Sequence, residues 1–152
     1  MKVQDVMTTA VRSCPPTANL AEVAAIMWEA DCGIVPVVNE RAEVVGVVTD
    51  RDIAIALGTR NTPAAKVCAG EAMSAPVVAC APEDPVTGAL SQMQTHRVHR
   101  LPVTGIGGVL LGMLSLNDVV RHAPAAAAKD PVIAALRGIC AQRRAAPIAR
   151  AS

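Results

Sequence analysis

The sequence predicts an α+β fold of two tandem units, each ordered β-α-β-β-α, with an additional helix at the C-terminus. Three observations carry this prediction. The stretch Gly46-Val47-Val48-Thr49-Asp50-Arg51-Asp52-Ile53 recurs 66 residues later (112 − 46) as Gly112-Met113-Leu114-Ser115-Leu116-Asn117-Asp118-Val119, and a fixed period marks a repeated structural unit. The register holds without a gap in both directions: Met7 meets Met73, Thr8 meets Ser74, Val11 meets Val77, Met27 meets Met93, Pro36 meets Pro102 and Val37 meets Val103. Within each copy the apolar pattern switches from helical spacing to short β-rich runs and back, as helices laid over one face of a small sheet require. The expected divisions are residues 1–60 for the first unit, 61–123 for the second and 124–152 for an Ala/Arg-rich helix and tail.

Val3, Val6 and Met7 give one apolar face to a short helical turn leading into the first unit. Thr8 to Thr17 is extended and turn-like, with Val11 as a strand residue, because Pro15-Pro16 prevents a helix. Asn19 caps the next segment and Glu22 stands three residues on, as in a capping box; Leu20, Val23, Ala24, Met27 and Trp28 form its expected buried stripe, and Gly33 lies beyond its end. Ile34 to Val38 and Val44 to Thr49 are β-rich runs joined by the polar turn Asn39-Glu40-Arg41-Ala42, which makes an antiparallel hairpin. Asp50 to Leu57 reads as a helix capped by Thr49 or Asp50 and closed by Gly58.

Arg60 to Ala65 is the polar joint, in which Thr62-Pro63 suits the start of a short helix. The cycle then repeats. Ala69 to Met73 is a turn, Val77 to Cys80 a short strand, and Asp84-Pro85 starts a helix with the stripe Val86, Ala89, Leu90 and Met93. Arg100 to Thr104 and Val109 to Ser115 form a second hairpin across Gly105-Ile106-Gly107-Gly108, and Leu116 to His122 closes the unit. After Ala123-Pro124, Asp130-Pro131 opens a helix with Val132, Ile133, Leu136, Ile139 and Cys140 on one side. That helix has no counterpart in the repeat. It suits docking on the core, crossing to a partner subunit or engaging another protein, and packing within a homo-oligomer is the expected use.

Composition narrows the function. With 152 residues at 52% hydrophobic content the chain fills a core, and that core is aliphatic, since Phe and Tyr are absent and Trp28 is the one aromatic residue. A nucleobase must then rest on aliphatic side chains and backbone, and aromatic stacking of single-stranded nucleic acid is unsupported. A formal charge of +1 also argues against a broad phosphate-tracking surface, so nucleic acid is not an expected partner. Apolar runs break well short of the roughly 18 residues of a membrane span. Met1-Lys2-Val3-Gln4-Asp5 lacks the apolar stretch of a secretory signal, so the expected location is cytoplasmic. The five cysteines, at 14, 32, 68, 80 and 140, form no Cys-x-x-Cys pair and read as small buried hydrophobes in a reducing compartment.

Two units ending in a strand with Gly-x-x-(Thr/Ser)-x-x-Asp resemble the CBS domain pair, or Bateman module, over about Val3 to His122. Supporting landmarks are Asp5-Val6-Met7-Thr8, Val35-Pro36-Val37-Val38, Leu101-Pro102-Val103 and Val48-Thr49-Asp50-Arg51-Asp52-Ile53. The resemblance implies two units packed through their sheets about a pseudo-twofold axis, two clefts, and a regulatory role in binding AMP, ADP or ATP, with S-adenosylmethionine as the secondary candidate and no obligatory cofactor. It implies Asp52 and Asp118 as ribose ligands, with Thr49 and Ser115 as their hydroxyl partners. Ile34, Val35, Pro36 and Thr9 to Val11 would line the first base cleft; Val98, Leu101, Pro102 and Ala75 to Val77 would line the second.

Residue chemistry agrees. A hydroxyl and a carboxylate three apart at a strand-to-helix junction face the same way, and a carboxylate is acceptor-only, which suits a vicinal diol. The same residues equally suit a plain helix cap with a charged first turn. Phosphate candidates are Arg51, Arg97, His99 and Arg100; the second half reads His96-Arg97-Val98-His99-Arg100 where the first has Ala30-Asp31-Cys32-Gly33-Ile34, so the Asp118 cleft is expected to be favoured. His96 and His99 lack further ligands for a metal, so none is expected. Gly105-Ile106-Gly107-Gly108 lies between strands and is a hairpin turn, not a dinucleotide loop. Ser91, His99 and Asp118 match a hydrolase triad in residue type alone. No catalysis is expected. The predicted protein is a nucleotide sensor, dimeric, acting on a separate effector protein; the alternative is a dimerisation scaffold with vestigial clefts.

Overall fold

The computed structural model describes residues 1–122 and, beyond them, Pro131 and Ala135. The first half contains α1 (Leu20–Glu29), β1 (Ile34–Val38), β2 (Val44–Thr49) and α2 (Asp50–Arg60). After a short α3 (Ala69–Ala72) the second half gives α4 (Val86–His96), β3 (Arg100–Thr104), β4 (Leu110–Ser115) and α5 (Leu116–His122). Single 3₁₀ turns occupy Val3–Asp5, Ala64–Lys66 and Ile106–Gly108. Local chemistry sets the boundaries. Asn19 Oδ1 accepts from the Glu22 N–H at 3.0 Å while Glu22 Oε2 accepts from the Asn19 N–H at 2.9 Å, satisfying two donors at the start of α1.

Both hairpins are antiparallel and in the same register. Ile34 opposes Thr49 and Pro36 opposes Val47, and Arg100 opposes Ser115 and Pro102 opposes Met113, with one bulge in each ladder near its turn. Because alternate residues face opposite sides, Val35, Val37 and Val48 turn into one apolar cluster and Leu101, Val103 and Leu114 into the other. Met113 is buried yet belongs to neither cluster.

The two cores do not follow the two sequence halves. Val3 and Val6 are buried among Val86, Leu90, Met93 and Leu101 of the second half, whereas Val67 and Ala69 are buried among Leu20, Val23 and Met27 of the first. Backbone bonds repeat the exchange. The Val3 and Gln4 N–H groups donate to Asp84 and Pro82 carbonyls at 2.9 and 3.0 Å, and the Ala69 and Gly70 N–H groups donate to Ala18 and Pro16 at 2.7 and 2.9 Å. Each half thus closes its core with the segment that leads into the other. Full burial of a Val side chain contributes roughly 1.5–3 kcal/mol, so this exchange is a major part of what joins the halves.

A pseudo-twofold axis follows from the bridges between segments. Thr8 pairs with Met113 and Ser74 with Val47; a shift of 66 residues (74 − 8 and 113 − 47) turns the first pair into the second. Glu43 pairs with Val109, its own equivalent, so the axis passes between them. The Leu110 N–H donates to the Ala42 carbonyl across it at 2.9 Å. The repeated glycines allow the exchange: a Cβ at Gly46 would lie 2.3 Å from the Met73 sulfur, and one at Gly112 would lie 2.6 Å from the Thr8 carbonyl oxygen.

Several details depart from the sequence expectation. Trp28 is 88% exposed and Ala24 is exposed; Ile26 packs on the core instead, because the face of α1 that meets its sheet is narrower than the predicted stripe. Helix α2 runs through Gly58 to Arg60 and ends at Asn61, which adopts the left-handed conformation (φ 48°) and donates its N–H to the Leu57 carbonyl. Val11 and Val77 to Ala79 form no strand; pairing there is confined to single parallel bridges of Cys14 with Val37 and Cys80 with Val103. Of the predicted C-terminal helix, only Pro131 and Ala135 fall among the described residues. Both are helical, and Ala135 is buried in the second cluster.

Candidate functional site

The repeated hydroxyl and carboxylate occupy the same place in each half, where a strand runs directly into a helix. Thr49 is the N-cap of α2: Asp52 Oδ2 accepts from the Thr49 N–H and from its hydroxyl, both at 2.8 Å, and Thr49 Oγ1 accepts from the Asp52 N–H at 3.1 Å. Ser115 and Asp118 repeat this at 2.8, 2.6 and 3.2 Å. All four residues are half-buried. Every one of the bonds accepted by these carboxylates falls on Oδ2; Oδ1 of each accepts none from the described residues. Each junction therefore holds a fixed, partly exposed carboxylate with one oxygen open to a donor.

The predicted base-cleft residues divide by face. Ile34 is half-buried on the Thr49 side of its hairpin, and Pro36 and Pro102 are buried on the corresponding sides. Val35 and Leu101 have their side chains in the two cores, so their backbone is what they present to a cleft. Val98 and Val77 are half-buried and Ala75 is exposed. Thr9 to Ser13 runs from its pairing on β4 at Thr8 to its pairing on β1 at Cys14, where the Cys14 N–H donates to Pro36 at 3.0 Å and its carbonyl accepts from Val38 at 2.9 Å. Ala75 to Ala79 makes the equivalent crossing from β2 to β3, with Cys80 bonded to Pro102 and Thr104 at 3.0 and 2.9 Å. The predicted lining segments thus span both halves.

The basic candidates are gathered mainly at the second junction. Arg100 opposes Ser115, and the Leu116 N–H donates to the His99 carbonyl at 3.1 Å, which fixes both residues beside the start of α5. His99 is exposed and Arg100 half-buried. Arg97 is exposed, adopts φ 54° and ends α4. Arg51 is exposed at the start of α2, its N–H bonded to Asp50 Oδ1 at 2.7 Å. The sequence offered Asp50 only as an alternative cap to Thr49; Thr49 is the cap, and Asp50 Oδ2 lies 3.0 Å from the position a side chain on Gly33 would take, with Leu116 in its place in the other copy.

Two surface depressions flank the Ser13–Ala18 loop, one bordered by Glu22 and Ile26 and the other by Val38, Asn39 and Glu40; neither includes the Thr/Ser–Asp pairs. Cys14 borders both, and burial, with a smaller effect of Glu22, raises its thiol pKa. Such a thiol is a poor nucleophile. Among the described residues no three His, Cys, Asp or Glu side chains gather as a metal set, and no helix is long and apolar enough to cross a membrane.

Comparison with known proteins gives a consistent picture. The CBS domain profile matches residues 3–59 and again 69–125. YlbB of Bacillus subtilis is 33% identical over 135 residues, spanning 85% of this chain and 90% of its own. The Methanopyrus kandleri protein MK0525 is 31% identical over 109 residues, 72% of this chain and 56% of that protein. A homoserine O-acetyltransferase of Methanococcoides burtonii is 30% identical over 119 residues, 78% of this chain but 23% of the enzyme. Among solved structures, Hypoxic Response Protein I with two coordinated zinc ions superposes with TM-score 0.75 at 27% identity, over 82% of this chain and 100% of that one. The CBS domain pair of protein MJ0100, in complex with 5′-methylthioadenosine and S-adenosyl-L-methionine, gives 0.73 at 23% identity (80% and 94% covered). CBSX2 in complex with AMP gives 0.69 at 24% (79% and 93% covered).

Proposed function

This chain belongs to the CBS domain family, which it represents twice, and on that premise we propose that it is a regulatory module that binds adenosine nucleotides. The observation that carries the proposal is the Thr/Ser–Asp pair recurring with the same bonds at both strand-to-helix junctions. Asp52 and Asp118 hold ribose hydroxyls through the open carboxylate oxygen, Thr49 and Ser115 orient those carboxylates, and the backbone of Ile34–Pro36 and Leu101–Pro102 meets the base. That two similar folds hold adenosyl compounds supports this ligand class. AMP, ADP or ATP is the expected ligand. Binding acts by population shift: a nucleotide against a segment that spans both halves favours one relative orientation of them. The module is proposed to work as a homodimer that passes this change to an effector protein, as befits a family that is typically regulatory.

A second reading, a dimerisation scaffold with vestigial clefts, draws support from the caps themselves, since a capping box accounts for their geometry without any ligand. Calorimetric titration of the purified chain with AMP, ATP and S-adenosylmethionine, repeated on Asp52→Ala and Asp118→Ala, separates the two. The nucleotide reading expects heat that one or both substitutions abolish. Absence of heat and of thermal stabilisation with all three compounds overturns it in favour of the scaffold.

A further inference from the structure

The two clefts share a hydroxyl–carboxylate pair but not the charge around it. In the β3–β4 ladder Arg100 opposes Ser115, whereas in the β1–β2 ladder Ile34 opposes Thr49. Residues opposed in an antiparallel ladder stand on the same face with Cβ atoms roughly 4.5–5.5 Å apart. The guanidinium of Arg100 is therefore rooted beside the Ser115–Asp118 pair, and an aliphatic group holds that place in the other half. Arg100 is half-buried and enters no salt bridge with the described residues.

The preceding residue extends the difference. The His99 carbonyl accepts from the Leu116 N–H, and the Gly33 carbonyl accepts from the Asp50 N–H at 3.3 Å, so these two residues are equivalent. One carries an exposed imidazole on a backbone fixed at its junction. The other brings no side chain, and the Asp50 carboxylate lies over it. Arg51, flanked by Asp50 and Asp52, leaves the start of α2 net negative. A phosphate placed there meets two carboxylates against one guanidinium, that of Arg51, whereas a phosphate at the Ser115 junction meets the single carboxylate of Asp118 with the Arg100 guanidinium rooted beside it.

Resting on the adenosine reading above, we infer that the clefts sort adenosyl ligands by charge. The Asp118 cleft takes a 5′-phosphorylated ligand, with Arg100 as its selecting residue, and the Asp52 cleft takes an adenosyl compound that carries no phosphate. The probes are AMP and 5′-methylthioadenosine, titrated by calorimetry into the full chain and into Arg100→Ile, Arg100→Lys, Asp52→Ala and Asp118→Ala, each checked for fold by circular dichroism. AMP affinity falls roughly 10- to 100-fold in Arg100→Ile, the loss expected for a charge-assisted bond, and is partly kept in Arg100→Lys. Methylthioadenosine binding is unchanged in Arg100→Ile and Asp118→Ala and lost in Asp52→Ala. Equal affinity of wild type and Arg100→Ile for AMP, or loss of AMP in Asp52→Ala alone, overturns the sorting while leaving adenosine binding intact. If neither compound binds the wild-type chain, the adenosine reading falls and the sorting falls with it.

Discussion

Substitution of Gly112 by Ala tests whether the exchanged segments hold the halves together. The added Cβ would lie 2.6 Å from the Thr8 carbonyl oxygen, closer than side-chain carbons approach such atoms, and 3.2 Å from the Met7 sulfur. Thr8 cannot retreat freely. Its N–H donates to the Met113 carbonyl and its carbonyl accepts from the Met113 N–H, both at 2.9 Å. Overpacking costs about 1–3 kcal/mol, and each backbone bond lost adds about 1 kcal/mol, so a destabilisation of about 2–4 kcal/mol is expected. Gly46→Ala is the control within the same molecule. The three atoms nearest its Cβ all belong to Met73, the sulfur at 2.3 Å, Cγ at 2.8 Å and Cβ at 3.0 Å; the sulfur and Cγ can rotate away while Cβ is fixed to the backbone, so about 1–2 kcal/mol is expected. Urea denaturation followed by far-UV circular dichroism measures both; fluorescence serves poorly because the one tryptophan is already 88% exposed. A wild-type midpoint for Gly112→Ala, or greater damage from Gly46→Ala, refutes the reasoning.

Two further outcomes concern backbone strain and pH. Ala42 (φ 60°) and Gly108 (φ 82°) are equivalent residues (108 − 42 = 66) in the left-handed region, so Gly108→Ala lowers stability by about 1–2 kcal/mol, while Ala42→Gly is neutral or stabilising by less than about 1 kcal/mol; thermal melting compares them. Burial, and secondarily the charge of Asp84, pushes the Cys80 thiol from 9.0 up to about 11. The folded chain therefore keeps a proton that the unfolded chain releases. Stability from this group is complete below pH 9.0 and is lost as pH rises toward about 11, with a slope of at most roughly 1.4 kcal/mol per pH unit. Urea midpoints at pH 8 and pH 10.5 should differ less in Cys80→Ala than in wild type; an undiminished difference in the variant counts against this thiol as the cause.

What could be read from the chain depended on how local the cause was. Asn19 with Glu22, Thr49 with Asp52 and Ser115 with Asp118 make bonds inside a single helical turn, so spacing located the caps, and the resemblance to the CBS pair marked the latter two as candidate sites. The two hairpins were legible for the same reason, since β-rich runs bounded by short polar or glycine turns admit few alternatives. The exchange of leading segments was hidden: Val3, Val6 and Met7 show the same apolar spacing whichever core they enter. Trp28 was misassigned because helical spacing identifies a face but not its width. Asn61 displaced Gly58 as the end of α2 because an asparagine also tolerates the left-handed conformation and the glycine has nothing within 4 Å to demand its place.

The exchange also limits how a bound ligand can act. Each crossing segment has two backbone bonds at either end, as Thr8 has with Met113 and Cys14 with Pro36 and Val38, and each leads from a residue group buried in the opposite core. Pulling the halves apart would expose Val3, Val6, Val67 and Ala69, at a cost of several kcal/mol, beyond the roughly 1–3 kcal/mol that a ligand typically supplies as coupling. Separation is therefore closed as a signalling route under the proposed reading. Rotation of one hairpin against the other about the Glu43–Val109 bridge does not require that exposure, and it is the route the proposed reading leaves. The crossing segments lie off that axis. Under the proposed reading, a ligand seated against Thr9 to Val11 or Ala75 to Val77 presses on a segment bonded to both hairpins, so its effect reaches both halves at once.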